Sequence, residues 1–107
     1  MIVPYIDGLM LYLITALKGE RTIYSPLHIL NGKKSSQPIQ DARLFNIAEL
    51  FGVLPKLNRR TWDHKIIELI NNGYIQEVGD HTYICTDQGK SVLTEWKGEY
   101  PALKHLN

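Results

Sequence analysis

The sequence predicts an α+β, mostly α domain built from four helices, a short β-hairpin and a C-terminal helix. Three observations carry that reading. Four segments place apolar residues at helical spacing, two β-branched and aromatic runs flank a short glycine turn, and one more helical segment follows. All of this fits in 107 residues, a length that closes around one core. With 44% hydrophobic and 21% charged residues, the chain has apolar surface to bury and no long polar tract. Residues 1–98 are expected to form the domain, and 99–107 a tail that links it to a region outside this sequence.

Ile6, Leu9, Met10, Leu13, Ile14 and Leu17 recur at helical spacing, and Leu11 and Tyr12 widen the stripe. A first helix from about Pro4 to Lys18 is therefore apolar nearly all round, and such a helix is either buried or paired with another chain. Lys18-Gly19 ends it. Ser25-Pro26 opens the second helix, with Ser25 as N-cap and Pro26 preset in the first turn, and Asn31-Gly32 closes it. The polar turn from Lys33 to Pro38 delivers a third helix, predicted to run through Ile39, Ala42, Leu44, Phe45, Ile47, Ala48, Leu50 and Phe51. Gly52 to Asn58 is a loop. Thr61 is then expected to cap a fourth helix that buries Trp62, Ile66, Ile67, Leu69 and Ile70 and stops at Asn72-Gly73. Tyr74 to Val78 and Thr82 to Thr86 read as strands around the turn Gly79-Asp80-His81. Thr86 to Lys90 starts the last helix, which continues through Val92, Leu93 and Trp96. Helix, turn, helix, hairpin, helix is the winged helix-turn-helix pattern, in which one helix and the hairpin, or wing, together present a nucleic-acid surface.

The single cysteine, Cys85, has no disulfide partner, and His28, His64, His81 and His105 are too scattered for a zinc motif. No metal or other cofactor is expected, and a reducing cytoplasm fits the composition. The apolar first segment carries Asp7, lacks a basic leader, and is shorter than the roughly 20 apolar residues of a membrane span. No Gly-rich phosphate loop, paired His-Glu-His ligand set or nucleophile motif occurs, and Ser25 is explained as a cap. The chain is therefore not expected to be an enzyme.

The net charge of +1 hides an uneven distribution. Residues 1–32 balance. Residues 33–65 hold seven basic against three acidic side chains, a surplus of four, and the remainder runs to a deficit of three. If a polyanion binds, it binds the middle third. There, Lys33, Lys34, Ser35, Ser36 and Gln37 precede a helix N-terminus, whose free N–H groups and positive dipole end receive a phosphate, and Arg43 lies about two turns further on. The bland alternative is a solvated turn with capping serines. Lys56, Arg59, Arg60 and Lys65 form a second cluster on the loop and first turns of the helix before the wing, suited to phosphate contacts. Arg59 or Arg60 can equally form surface ion pairs with Asp63 or Glu49.

Several segments carry a family likeness. ILNGKKSSQ, LFGVLPKLNRRTW, IIELINNGYIQEV and YICTDQGKSVL resemble, in order, parts of the RQC winged-helix domain that follows the motor of RecQ-type DNA helicases. That resemblance implies DNA binding with a phosphate contact at the Lys33 turn. GERTIYSPLHILNGKKSSQPIQDARLF is similar to the amino-terminal region of YpbB-type bacterial proteins, which are longer and often encoded beside a RecQ-type helicase. This likeness implies an accessory to such a helicase in DNA repair or replication. The chain departs from the RQC pattern at its wing tip, Gly79, Asp80 and His81, which is short, flanked by the acids Glu77 and Asp80, and lacks a protruding aromatic for parting strands.

Duplex or branched DNA is thus the expected partner, bound through phosphates. The alternative is an adaptor whose apolar first helix or acidic wing face docks on a helicase or on a second copy of itself. A third reading is a transcriptional regulator with its own consensus site.

Overall fold

The computed structural model describes residues 3–99, so the expected tail beyond Glu99 lies outside the described residues. In order come α1 (Tyr5–Leu17), α2 (Tyr24–Asn31), α3 (Ser36–Leu44), a 3₁₀ turn (Ala48–Leu50), α4 (Arg59–Asn71), β1 (Ile75–Gly79), β2 (Thr82–Cys85) and α5 (Asp87–Glu99). The fold is α+β and mostly helical, with β1 and β2 forming a two-stranded antiparallel sheet in which Ile75 opposes Cys85 and Gly79 opposes Thr82.

α1 is the centre of the molecule. Leu9, Met10, Leu11 and Leu13 are all removed from solvent, which explains why this helix is apolar nearly all round. Each such side chain contributes about 1.5–3 kcal/mol of transfer free energy. α1 thus spends most of its apolar surface inside the domain. No described helix is long and apolar enough to cross a membrane. β2 lies against α1, where Thr15 Oγ1 donates to the Cys85 sulfur at 3.2 Å and burial pushes the thiol pKa up.

α5 packs along α1, and the approach is close because Gly8 has no side chain: a Cβ there would land on the indole of Trp96. Gly8→Ala is accordingly expected to cost about 1–3 kcal/mol through overpacking, despite the better helix propensity of alanine. Thermal or urea unfolding would measure it, and an alanine variant as stable as the parent would contradict this packing.

Three local expectations need correction. Ser25 lies inside α2, whose N-cap is Ile23, and its hydroxyl donates to Asp41 instead. Thr61 likewise lies within α4; the cap is Asn58, whose Oδ1 accepts the Thr61 N–H at 2.9 Å. The third helix is shorter than its apolar pattern implies. Asn46 takes a left-handed backbone (φ 59), which asparagine tolerates better than most residues, so α3 stops at Leu44 and helical geometry resumes only as the 3₁₀ turn. The kink swings Ile47 and Leu50 into the core and leaves Leu44 68% exposed.

Candidate nucleic-acid interface

Gly32, left-handed at φ 74, ends α2. The next amide closes the turn, Lys33 N–H donating to the His28 carbonyl at 3.0 Å and to Asn31 Oδ1 at 3.1 Å. Lys33 and Lys34 are thereby exposed, and the chain passes through Ser35, extended at φ −135, into α3. Ser35 holds the N-cap position without its side chain accepting an amide. The Ser36 hydroxyl has no hydrogen-bond partner among the described residues either, so this helix start keeps open hydroxyls beside its free N–H groups.

Asp41, one turn into α3 and 1% exposed, fixes the turn to the rest of the fold. Its Oδ1 accepts from Gln37 Nε2 at 2.9 Å and from Arg21 Nε at 3.0 Å, and its Oδ2 accepts from Ser25 Oγ at 3.1 Å. Gln37 is therefore committed to Asp41 and is not a free ligand group. Between α2 and α3 lies a pocket of about 280 Å³ lined by Arg21, Tyr24, His28, Lys33, Ser35 and Gln37, among others, with Asp41 at its wall.

α4 brings one member of the second basic cluster, Arg59, to the same place. The Arg59 guanidinium stacks 4.2 Å over the Tyr24 ring and pairs with Asp63 at 3.7 Å, while the Tyr24 hydroxyl donates to Asp63 at 2.9 Å. Burial lowers the pKa of His28, and the positive charges of Lys33 and Arg59 lower it further. Two basic segments more than 20 residues apart in sequence thus act on one imidazole. Arg60, next to Arg59 and exposed, has no ion-pair partner among the described residues.

The remaining basic residues do not join them. Arg43 is exposed on α3, and helical periodicity turns it about 160° away from Asp41. Lys56 borders a different, apolar groove with Tyr5, Ile6, Leu54 and Leu57. Lys65, two residues after Asp63 and so about 200° further round α4, points at α1, where its ammonium lies 3.0 Å from the buried Asp7. That ion pair takes Lys65 out of the basic surface.

The hairpin tip is held down. Ile23 N–H donates to the His81 carbonyl at 2.7 Å, His81 lies edge-on to Tyr24 at 5.9 Å, and its own N–H reaches the Glu77 carboxylate at 3.3 Å. Gly79 ends β1 and pairs with Thr82, so the turn is Asp80-His81, with His81 left-handed at φ 57. The tip adds acidic groups, Glu77 and Asp80, beside the basic ones rather than a projecting probe.

Sequence reasoning missed Arg21, Tyr24 and His28 as site residues; Tyr24 and His28 are four residues apart and so share one face of α2, whereas Arg21 precedes the helix and gives no such signal. It also placed Ile67 and Ile70 in the core. Ile67 is 57% exposed and Ile70 is exposed too, because Trp62, Ile66 and Leu69 alone fill the buried side of α4. The outer face of α4 therefore runs Arg60, His64, Ile67 and Asn71, all exposed.

Comparison with known proteins gives one informative match. The chain is similar to Protein YpbB of Bacillus subtilis (strain 168). The two are 33% identical over 104 residues, which is 96% of this chain but only 30% of that protein. The chain therefore spans about a third of the length of the relative it matches. No family model and no solved structure matches the chain.

Proposed function

We propose that this domain is a winged-helix module that binds DNA by its phosphate backbone, as an accessory to a RecQ-type helicase in replication or repair. The observation that carries the reading is the convergence of the Lys33 turn and the start of α4 around Tyr24 and His28. Lys33 reaches this place without an ion-pair partner among the described residues, and its neighbour Lys34 and Arg60, next to Arg59, are exposed and likewise unpaired among them. Cations left unpaired on an otherwise nearly neutral body are what a polyanion displaces counterions to reach. The helicase connection rests on the sequence likeness to RQC domains and to YpbB-type proteins.

Fluorescence anisotropy with forked, duplex and single-stranded oligonucleotides tests this. Lys33→Glu, Lys34→Glu and Arg60→Glu together are expected to weaken duplex binding at least about tenfold. They should also flatten the salt dependence by about 0.9 log units for each phosphate that is no longer neutralised. An unchanged slope and affinity would sink the proposal.

A second reading, docking on a protein, is favoured by one observation: Leu44 on α3 and Ile67 on α4 expose apolar surface that the domain does not use. Retention of a RecQ-type helicase by the immobilised chain, abolished by Leu44→Asp or Ile67→Asp, would support it. Retention of none would oppose it.

A further inference from the structure

We infer that the pocket between α2 and α3 seats a phosphate monoester, the group that ends a nucleic-acid strand. The inference deepens the DNA-binding proposal, since the source it names for the monoester rests on that reading.

Shape is the first argument. α2 and α3 both line the pocket, as does the turn carrying Lys33 and Ser35 that joins them. The Arg21–Asp41 pair, bridged at 3.0 Å, completes the lining. An internal phosphate of a continuous strand would have to leave such a pocket by two ester bonds in opposite directions. A monoester has one ester bond and enters from the open side. About 280 Å³ holds a phosphate and part of the sugar it is attached to.

Charge is the second. The one carboxylate on the pocket wall, Asp41, is 1% exposed and already accepts from Arg21, Gln37 and Ser25, so it offers nothing to a bound cation. Arg21 and Lys33 are the lining cations, and Lys33 has no ion-pair partner among the described residues. With Arg59 close enough to act on His28, the field is positive, and a dianionic monoester gains more from it than a monoanionic diester does.

His28 is the third. Its Nδ1 is sealed from solvent and has no hydrogen-bond partner, and the residue lines the pocket together with Ser35. An imidazole N–H and a hydroxyl can each donate to an oxygen atom. With Arg21 and Lys33 beside them, these groups suit the oxygen atoms of an anion.

The experiment uses the full chain and one short duplex made with 5′-phosphate, 3′-phosphate or hydroxyl ends, with inorganic phosphate and a nucleoside monophosphate as competitors. One phosphorylated end is expected to bind about tenfold tighter than the hydroxyl end. That preference should collapse in Lys33→Met and in His28→Phe and survive in Lys90→Met, on α5. Equal binding of all ends would overturn the pocket while leaving backbone binding intact. Failure of every duplex, with the nucleoside monophosphate still bound in a Lys33-dependent way, would keep the monoester and reject the nucleic-acid source. Circular dichroism confirms that each variant is folded, and Ser35→Ala, at an exposed position, gives a milder second test of the same preference.

Discussion

Lys65→Ala is expected to destabilise the domain by about 3–5 kcal/mol, the cost of leaving a buried charge without its partner. The Asp7 side chain is 7% exposed and the Lys65 side chain 22%, so the ion pair between α1 and α4 is shielded from water on its acidic side. Glu68, 3.5 Å from the same ammonium and half exposed, re-enters solvent when the lysine is removed; Asp7 has no such escape. The remedy should be chemical rather than steric. Asp7→Asn in the Lys65→Ala background removes the orphan charge and is expected to recover most of the loss, so the double variant should be more stable than the sum of the singles predicts. Urea unfolding of the four proteins at constant m-value measures the coupling, and strict additivity would show that the pair contributes nothing.

The same pair sets an alkaline limit. Burial alone lowers the Lys65 pKa, but the hydrogen bond and charge of Asp7, and then of Glu68, outweigh it and raise the value above 10.5. A folded-state pKa above the unfolded one means that the pair's stabilisation is complete below about pH 10.5 and fades as pH rises through the folded value. The parent protein should lose stability over that window more steeply than Lys65→Ala. Parallel decline of the two would assign alkaline unfolding to other groups.

Lys65 also shows where sequence reading reaches its limit. Its type and its place beside Arg59 and Arg60 suggest a phosphate ligand, and nothing local signals that α4 turns it towards a carboxylate 58 positions earlier. Elements with strong periodicity are legible: α1, the hairpin and α5 are where spacing and turn residues put them. Boundaries are less so. Ser25-Pro26 has the composition of a helix start, yet Asp41 holds the Ser25 hydroxyl and the helix begins two residues earlier, with Ile23 as its cap, while Asn58 fills the cap assigned to Thr61. Ile67 and Ile70 have core side chains at positions the helix leaves outside, since the apolar arc of the sequence is wider than the surface available to cover it. The basic turn is legible because lysines next to a helix start are a local feature. The pocket behind it is not, since it needs Arg21, His28 and Asp41 brought together from three elements.

Asp41→Ala is expected to cost about 3 kcal/mol, because it takes the acceptor from Arg21, Gln37 and Ser25 at once. The loss should fall below that of Lys65→Ala. The Arg21 side chain is 33% exposed and can turn to water, whereas Asp7 cannot. Asp41→Asn should cost less, since one oxygen still receives Arg21 and Gln37 and the Ser25 hydroxyl can reverse to accept from the new amide. The two variants also separate structure from binding. Asp41→Ala releases Arg21 from its place in the pocket lining, so a preference for phosphorylated ends should disappear even where the protein remains folded. Asp41→Asn keeps the bridge as a neutral hydrogen bond and should retain the preference. Equal stability of Asp41→Ala and the parent would mean that the three donors find water as readily as the carboxylate, and that the turn stands without it.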